Sequence, residues 1–157
     1  MNPTVYIETS IPSYLTARLS NDIRVLANQN ITVEWWNNCR SNFELYVSEL
    51  VTAEASGGDK EAAKRRLDVI EGIPELEVSE NAESLAKVLC LEGPVPQNAE
   101  IDAYHIAVAT VNGMDYLLTW NCTHIANAAL RPKLEEVCYE HDYELPVICT
   151  PQELLED

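Results

Sequence analysis

The chain predicts an α/β fold, with a central parallel sheet of about five strands and helices on both faces. Three observations lead there. Short runs of strand formers alternate with stretches of helical periodicity along the whole chain. Glycine and proline punctuate the joins, at Gly57-Gly58, Gly72-Ile73-Pro74 and Gly93-Pro94. The 157 residues match the roughly 100 to 200 expected of one domain, taken as residues 1–157.

Val5 to Ile7 form the first strand, ending at Glu8. Thr9-Ser10-Ile11-Pro12 then supplies capping hydroxyls and a proline suited to a first helical turn. From Asp22, a candidate cap, to about Arg40, the residues Ile23, Leu26, Ile31, Trp35 and Trp36 recur at helical spacing. Phe43 to Val47 reads as a second strand, and Ser48 caps a helix carrying Leu50, Val51 and Glu54. Helices follow over 59–70 and 80–91, separated by a third short strand at Leu76 to Val78. The stiff segment GPVPQN leads into a helix from about Ala99 to Val111. Tyr116 to Trp120 make the fourth strand, Pro132 to His141 a helix, and Val147-Ile148 the last strand. No internal repeat or low-complexity tract interrupts the pattern.

A hydrophobic share of 46% with 23% charged residues is that of a globular chain and argues against disorder. The opening MNPTVYIETS has no basic segment followed by an apolar one, and no apolar run reaches membrane-spanning length. A cytoplasmic protein without membrane contact is the default expectation. Five scattered cysteines without a C-x-x-C pair suggest reduced, mostly buried thiols rather than disulfides or a zinc knuckle. The formal charge of −16 repels polyanions and favours a cationic partner or a metal.

Four oxygen-bearing side chains stand where a parallel sheet gathers ligands, beyond the carboxyl ends of its strands. Glu8 ends the first strand and Asn121 the fourth, so they share a crevice if those strands are neighbours. Glu54 follows Leu50 and Val51 at helical spacing and is placed on the face turned to the sheet. Asp102 opens a helix one turn before Ile106. Clustered carboxylates off water are costly unless a cation joins them. Carboxylate and amide oxygens suit the hard ions Mg²⁺ or Mn²⁺ better than zinc. Phosphodiester hydrolysis is the matching chemistry, because such an ion can hold a scissile phosphate and acidify the attacking water.

These residues resemble the PIN domains, and among them the VapC-like ribonuclease toxins. The resemblance spans nearly the whole chain and is carried by VYIETS, SELVTAE and D-x-x-x-I-A-x-A…LLTWN, the last running from Asp102 to Asn121. It implies an α/β/α sandwich and an acidic quartet that binds Mg²⁺ or Mn²⁺ and cuts RNA to 5′-phosphate and 3′-hydroxyl ends. By the same resemblance Glu8, Glu54, Asp102 and Asn121 are the catalytic, metal-holding positions. Here the first is Glu where the family more often has Asp, and the fourth is an amide where it has an acid. Ser10 and Thr119 would orient carboxylates or water. An antitoxin that inserts a basic residue into the site is a further implication, with the helix between Asp22 and Arg40 as the place for an antitoxin groove; a homodimer, across which a basic surface for RNA is completed, is expected besides.

Plainer readings stand beside these. His105 and His124 are phosphate contacts or proton donors, or else hydrogen-bonded structural histidines, which is the preferred reading. Cys122 reads as a buried thiol. Lys60, Lys64, Arg65 and Arg66 either grip RNA or form a solvated face with Glu61–Arg65 and Lys64–Asp68 pairs, and the spacing favours the solvated face. Of Trp35 and Trp36, one belongs to the core and one to its edge. A degenerate PIN domain serving as an RNA-binding or protein-interaction module is the alternative function. A nucleotide-binding Rossmann protein is disfavoured, since the five glycines form neither of its phosphate loops.

Overall fold

A computed structural model describes residues 1–156. Five parallel strands lie in the order β3-β2-β1-β4-β5: β1 Thr4–Ile7, β2 Glu44–Ser48, β3 Glu75–Leu76, β4 Tyr116–Leu118 and β5 Val147–Cys149. The register sets Tyr6 beside Tyr46 on one side and Leu117 on the other. Val5, Tyr6 and Ile7 are all fully buried. Successive strand residues point to opposite faces, so both faces of the central strand are covered.

The covering helices are α1 Ser10–Thr16, α2 Ile23–Asn38, α3 Glu49–Ala55, α4 Lys60–Ile70, α5 Glu80–Leu91, α6 Glu100–Val111 and α7 Arg131–Glu140. α1 packs on α2 and α4, while α5 packs along α6 and touches α7. The closest of these unions has a visible cause. α6 buries Ala103, Ala107 and Ala109 around Ile106, and α5 buries Ala82 and Ala86 beside Leu85 and Leu89, so small side chains let two helices approach. The turn leaving α5 needs glycine, because a Cβ on Gly93 would sit 2.6 Å from the Leu89 carbonyl oxygen. No helix among the described residues is long and apolar enough to cross a membrane.

Asp22, Ser48, Asp59 and Ser79 cap their helices through side-chain oxygens. The elements fall where sequence placed them, and the departures have physical reasons. β3 stops at Leu76 because the Val78 amide goes to Glu49 Oε1 at 3.2 Å and Ser79 begins a cap. β4 stops at Leu118 because the Trp120 amide is taken by Ser10 Oγ at 2.8 Å. α2 does not bury Ile23, which is 81% exposed. Its inner face instead holds Gln29, bridging the Ser20 amide and the Arg18 carbonyl, and Thr32, which accepts from Trp120 Nε1. Trp35 is the core tryptophan and Trp36 the half-buried one, with the Arg40 guanidinium 4.5 Å over its ring. Lys64 pairs with Asp68 at 2.9 Å, whereas Glu61 and Arg65 form no ion pair among the described residues.

Leu117→Ala in the central sheet is expected to cost about 2–5 kcal/mol in urea unfolding. Ile23→Ser at the start of α2 should change stability by no more than about 0.5 kcal/mol.

Candidate functional site

The strand order reverses between β1 and β4: the chain moves from β1 out to β2 and β3, then returns to the other side for β4 and β5. That reversal opens a crevice at the carboxyl ends of β1 and β4. Glu8 leaves β1 there, its amide bonded to the Leu118 carbonyl at 3.1 Å. The side chain is buried, at 6% exposure. Its Oε1 accepts three hydrogen bonds, from the Ser10 hydroxyl at 2.5 Å, the Ser10 amide at 3.2 Å and the Thr119 hydroxyl at 2.6 Å. Oε2 has no protein partner among the described residues. Both hydroxyls also accept, Ser10 from the Trp120 amide and Thr119 from the Asn121 amide, so one set of hydrogen bonds ties α1 and the loop after β4 to a single carboxylate oxygen.

Glu54, on the last turn of α3, repeats the pattern. Its Oε1 accepts from the Thr9 hydroxyl and from His105 Nε2, each at 2.6 Å, and its Oε2 takes no hydrogen bond among the described residues. The sheet-facing burial expected of Glu54 is not observed, since its side chain is 39% exposed. α3 ends at the crevice rim, so the carboxylate reaches inward from an open edge. His105, on α6, is fully buried. Its Nδ1 lies 2.7 Å from the Tyr6 hydroxyl, which is 2.7 Å from Ser48 Oγ. One orientation of the hydrogens satisfies the whole chain: Ser48 donates to Tyr6, Tyr6 to Nδ1, and Nε2 to Glu54, while Ser48 accepts from the Leu50 amide.

Glu8, Glu54 and His105 bring ligand atoms within 4.8 Å of one another. Two carboxylates, each with one oxygen fixed and one free, fit a divalent cation in donor chemistry and in charge. Burial alone would raise the Glu54 carboxyl. The His105 hydrogen bond, the charge of that ring when protonated, and the Thr9 hydroxyl outweigh it and hold Glu54 below its ordinary 4.5. Burial drives the Tyr6 phenol far up, and the Glu8 and Glu54 charges add to it against the lowering by Ser48, so the hydroxyl stays protonated.

Asp102 and Asn121 are placed differently. Asp102, in the first turn of α6, lies outside the group of three and holds His124 Nδ1 at 2.9 Å. The Asn121 amide oxygen accepts from the His124 backbone at 3.1 Å, capping the turn in which that histidine sits. Both histidines are hydrogen-bonded, as the plainer reading had it, and both touch an acid of the expected quartet. Cys122 is exposed rather than buried, because the chain turns outward directly after β4. All five cysteines are free, and burial pushes Cys138 up to about 11 and Cys149 up to about 12. Sequence reasoning missed Tyr6, Ser48 and Thr9 as parts of the site. The one available signal was Tyr6, a strand tyrosine whose hydroxyl needs a partner once buried. Thr9 reads as a cap but makes no side-chain capping bond.

No family model matches the chain, and no curated protein matches it. Among solved structures it resembles a chain of VapBC2 from Rickettsia felis, determined bound to a DNA fragment from their promoter. The TM-score is 0.52 at 16% identity, over 94% of this chain and 98% of that one. The likeness is one of fold, and it agrees with the PIN-like α/β/α sandwich expected from the sequence.

Tyr6→Phe leaves buried Ser48 and His105 groups without their shared partner and should cost about 1–3 kcal/mol in denaturant unfolding. Because folding lowers the Glu54 pKa, the unfolded chain binds the proton more readily. The Glu54 contribution to stability is therefore present above its ordinary 4.5 and lost as pH falls through the lower folded value. Glu54→Gln should flatten the dependence of stability on pH below about 4.5, and an unchanged slope would assign the acid loss elsewhere.

Proposed function

We propose that this chain is a PIN-type, metal-dependent endoribonuclease and the toxin of a type II toxin-antitoxin pair. The observation that carries the proposal is the pairing of Glu8 and Glu54, each with Oε1 saturated by protein donors and Oε2 left free, at the switch point of a parallel sheet. Glu8 and Glu54 would hold Mg²⁺ or Mn²⁺. Asp102, one turn before His105 on α6, would supply the third carboxylate, and Asn121 an amide oxygen. When bound, such an ion supplies Lewis acidity at the scissile phosphate and acidifies the attacking water.

The protein's own part is positioning. Ser10 and Thr119 fix the Glu8 plane, while Thr9 and His105 fix Glu54 and keep it ionised at neutral pH. Tyr6 and Ser48 hold the His105 ring from behind. His124, oriented by Asp102 through Nδ1, is left with Nε2 to meet a phosphate oxygen or a leaving group. The VapBC2 likeness supports an antitoxin partner, and a homodimer is proposed beside it.

One observation favours the alternative of a non-catalytic PIN domain, a module that binds RNA or protein. His124 engages both Asp102 and Asn121, which takes two members of the quartet into a structural pairing. Cleavage of end-labelled RNAs, including a tRNA pool, separates the two readings. The nuclease cuts with Mg²⁺ or Mn²⁺, stops in EDTA, leaves 5′-phosphate ends and is abolished by Glu8→Gln and by Asp102→Asn. Ser10→Ala is expected to weaken metal affinity or activity about 10- to 100-fold. No ion-dependent cutting, cutting untouched by the two acid substitutions, or 2′,3′-cyclic phosphate ends would each remove the nuclease reading.

A further inference from the structure

The chain carries 26 acidic and 10 basic residues, so an RNA ligand is repelled by most of its surface. Few cations remain free to counter that. Arg40 lies over Trp36, Lys64 pairs with Asp68, Lys133 pairs with Glu136, and Arg131 donates to the Ile148 carbonyl. Arg66 donates Nε to the Ala55 carbonyl at 3.0 Å and Nη2 to the Gly57 carbonyl at 2.7 Å. Among the described residues this leaves Arg18, Arg24, Lys60, Arg65 and Lys87 with none of these contacts.

Two of the five meet in one place. A cleft of about 740 Å³ between α1 and α4 is lined by Arg18, Arg65 and Arg66. Arg18 and Arg65 are both exposed. Ser13 lines the same cleft, and its hydroxyl has no hydrogen-bond partner among the described residues. The two acids present do not cancel this. Asp59 is held as the cap of α4, accepting from the Ala62 amide at 3.0 Å, and Glu61 leaves Arg65 unpaired. Three guanidinium groups against two carboxylates make the cleft net positive on a chain of net charge −16.

The cleft is also built onto the acidic crevice. α1 starts at Ser10, which touches Glu8, and Ser13 lies one turn further along, about 4.5 Å at the helical rise. Arg66 binds the carbonyls at the end of α3, immediately beyond Glu54. We propose that the α1–α4 cleft, through Arg18, Arg65 and the Ser13 hydroxyl, binds a backbone phosphate of single-stranded RNA flanking the nucleotide presented to Glu8 and Glu54. The proposal rests on the ribonuclease reading and adds where the substrate's backbone is held. Guanidinium groups suit phosphate oxygens through paired donors, and α1 is short enough that one strand reaches both sites.

The test uses the full chain and a fluorescein-labelled single-stranded oligoribonucleotide, with binding followed by anisotropy in EDTA and cleavage followed in Mn²⁺. Arg18→Ala/Arg65→Ala should weaken binding about tenfold or more at low salt and lower the salt slope by about 0.7 for each phosphate that is no longer neutralised. KM should rise with kcat unchanged. Arg24→Ala/Lys87→Ala removes the same charge outside the cleft and should leave both readouts as in the wild type. A double variant with wild-type affinity, salt slope and KM overturns the cleft while leaving the nuclease standing. Weakened binding of a polyglutamate peptide with RNA binding intact makes the cleft a protein-docking site and overturns the proposal. A wild-type chain that neither binds nor cuts RNA removes the nuclease reading and the cleft together.

Discussion

Glu8 is a carboxylate almost wholly withdrawn from water, and its satisfaction governs the architecture around it. An unpaired charge at such a depth costs several kcal/mol. Here the charge is met by two hydroxyls and an amide on one oxygen. Those hydroxyls come from opposite sides, Ser10 from the start of α1 and Thr119 from the end of β4, and each accepts a backbone amide from the loop that follows β4. The ends of β1 and β4 must therefore be neighbours, and α1 must begin without a spacer. Withdrawing any one of the three leaves the others short of a partner, and such networks gain strength by being complete.

The second carboxylate is held by a longer route. Ser48 ends β2, Tyr6 lies in β1 and His105 in α6, so three non-consecutive elements supply the hydrogen bonds that aim Glu54. None of the participants is on a free loop. Sites mounted on packed elements keep their geometry better than sites on loops, and α6, which carries the histidine, is itself packed along α5. The rim is less enclosed. Glu54, Asp102 and His124 retain partial exposure, as the proposed RNA substrate would require.

The fold was legible because its periodicities are clean, and the helix caps were legible because Asp22 and Ser48 directly precede helical patterns. Of the acids, the approach of Glu8 to Glu54 was legible from a strand end and a helix after the next strand, whereas the sheet-facing burial read from the Glu54 spacing is absent and Asp102 stands apart with His124. What the sequence did not disclose were pairings between distant elements. The Tyr6 hydroxyl meets His105 across 99 positions and Ser48 across 42, and no local spacing encodes that. Ser10 and Thr9 look alike as cap residues, yet one faces Glu8 and the other Glu54. Arg18 lies beyond the end of α1 with no periodic pattern to mark it, and it gains meaning only from Arg65 across the cleft. Apolar spacing also misled at Ile23, because polar Gln29 and Thr32 set the inner face of α2 through hydrogen bonds.

The sheet ends in a strand of two residues on one side and of three on the other. Edges so short offer an approaching strand only one or two ladder hydrogen bonds, which is how sheet proteins avoid templating their own aggregation. Assembly by strand addition is thereby disfavoured. A second copy or protein partner would meet helices and loops instead, where recognition depends on side chains and so on sequence, and where a partner is selected rather than simply extended.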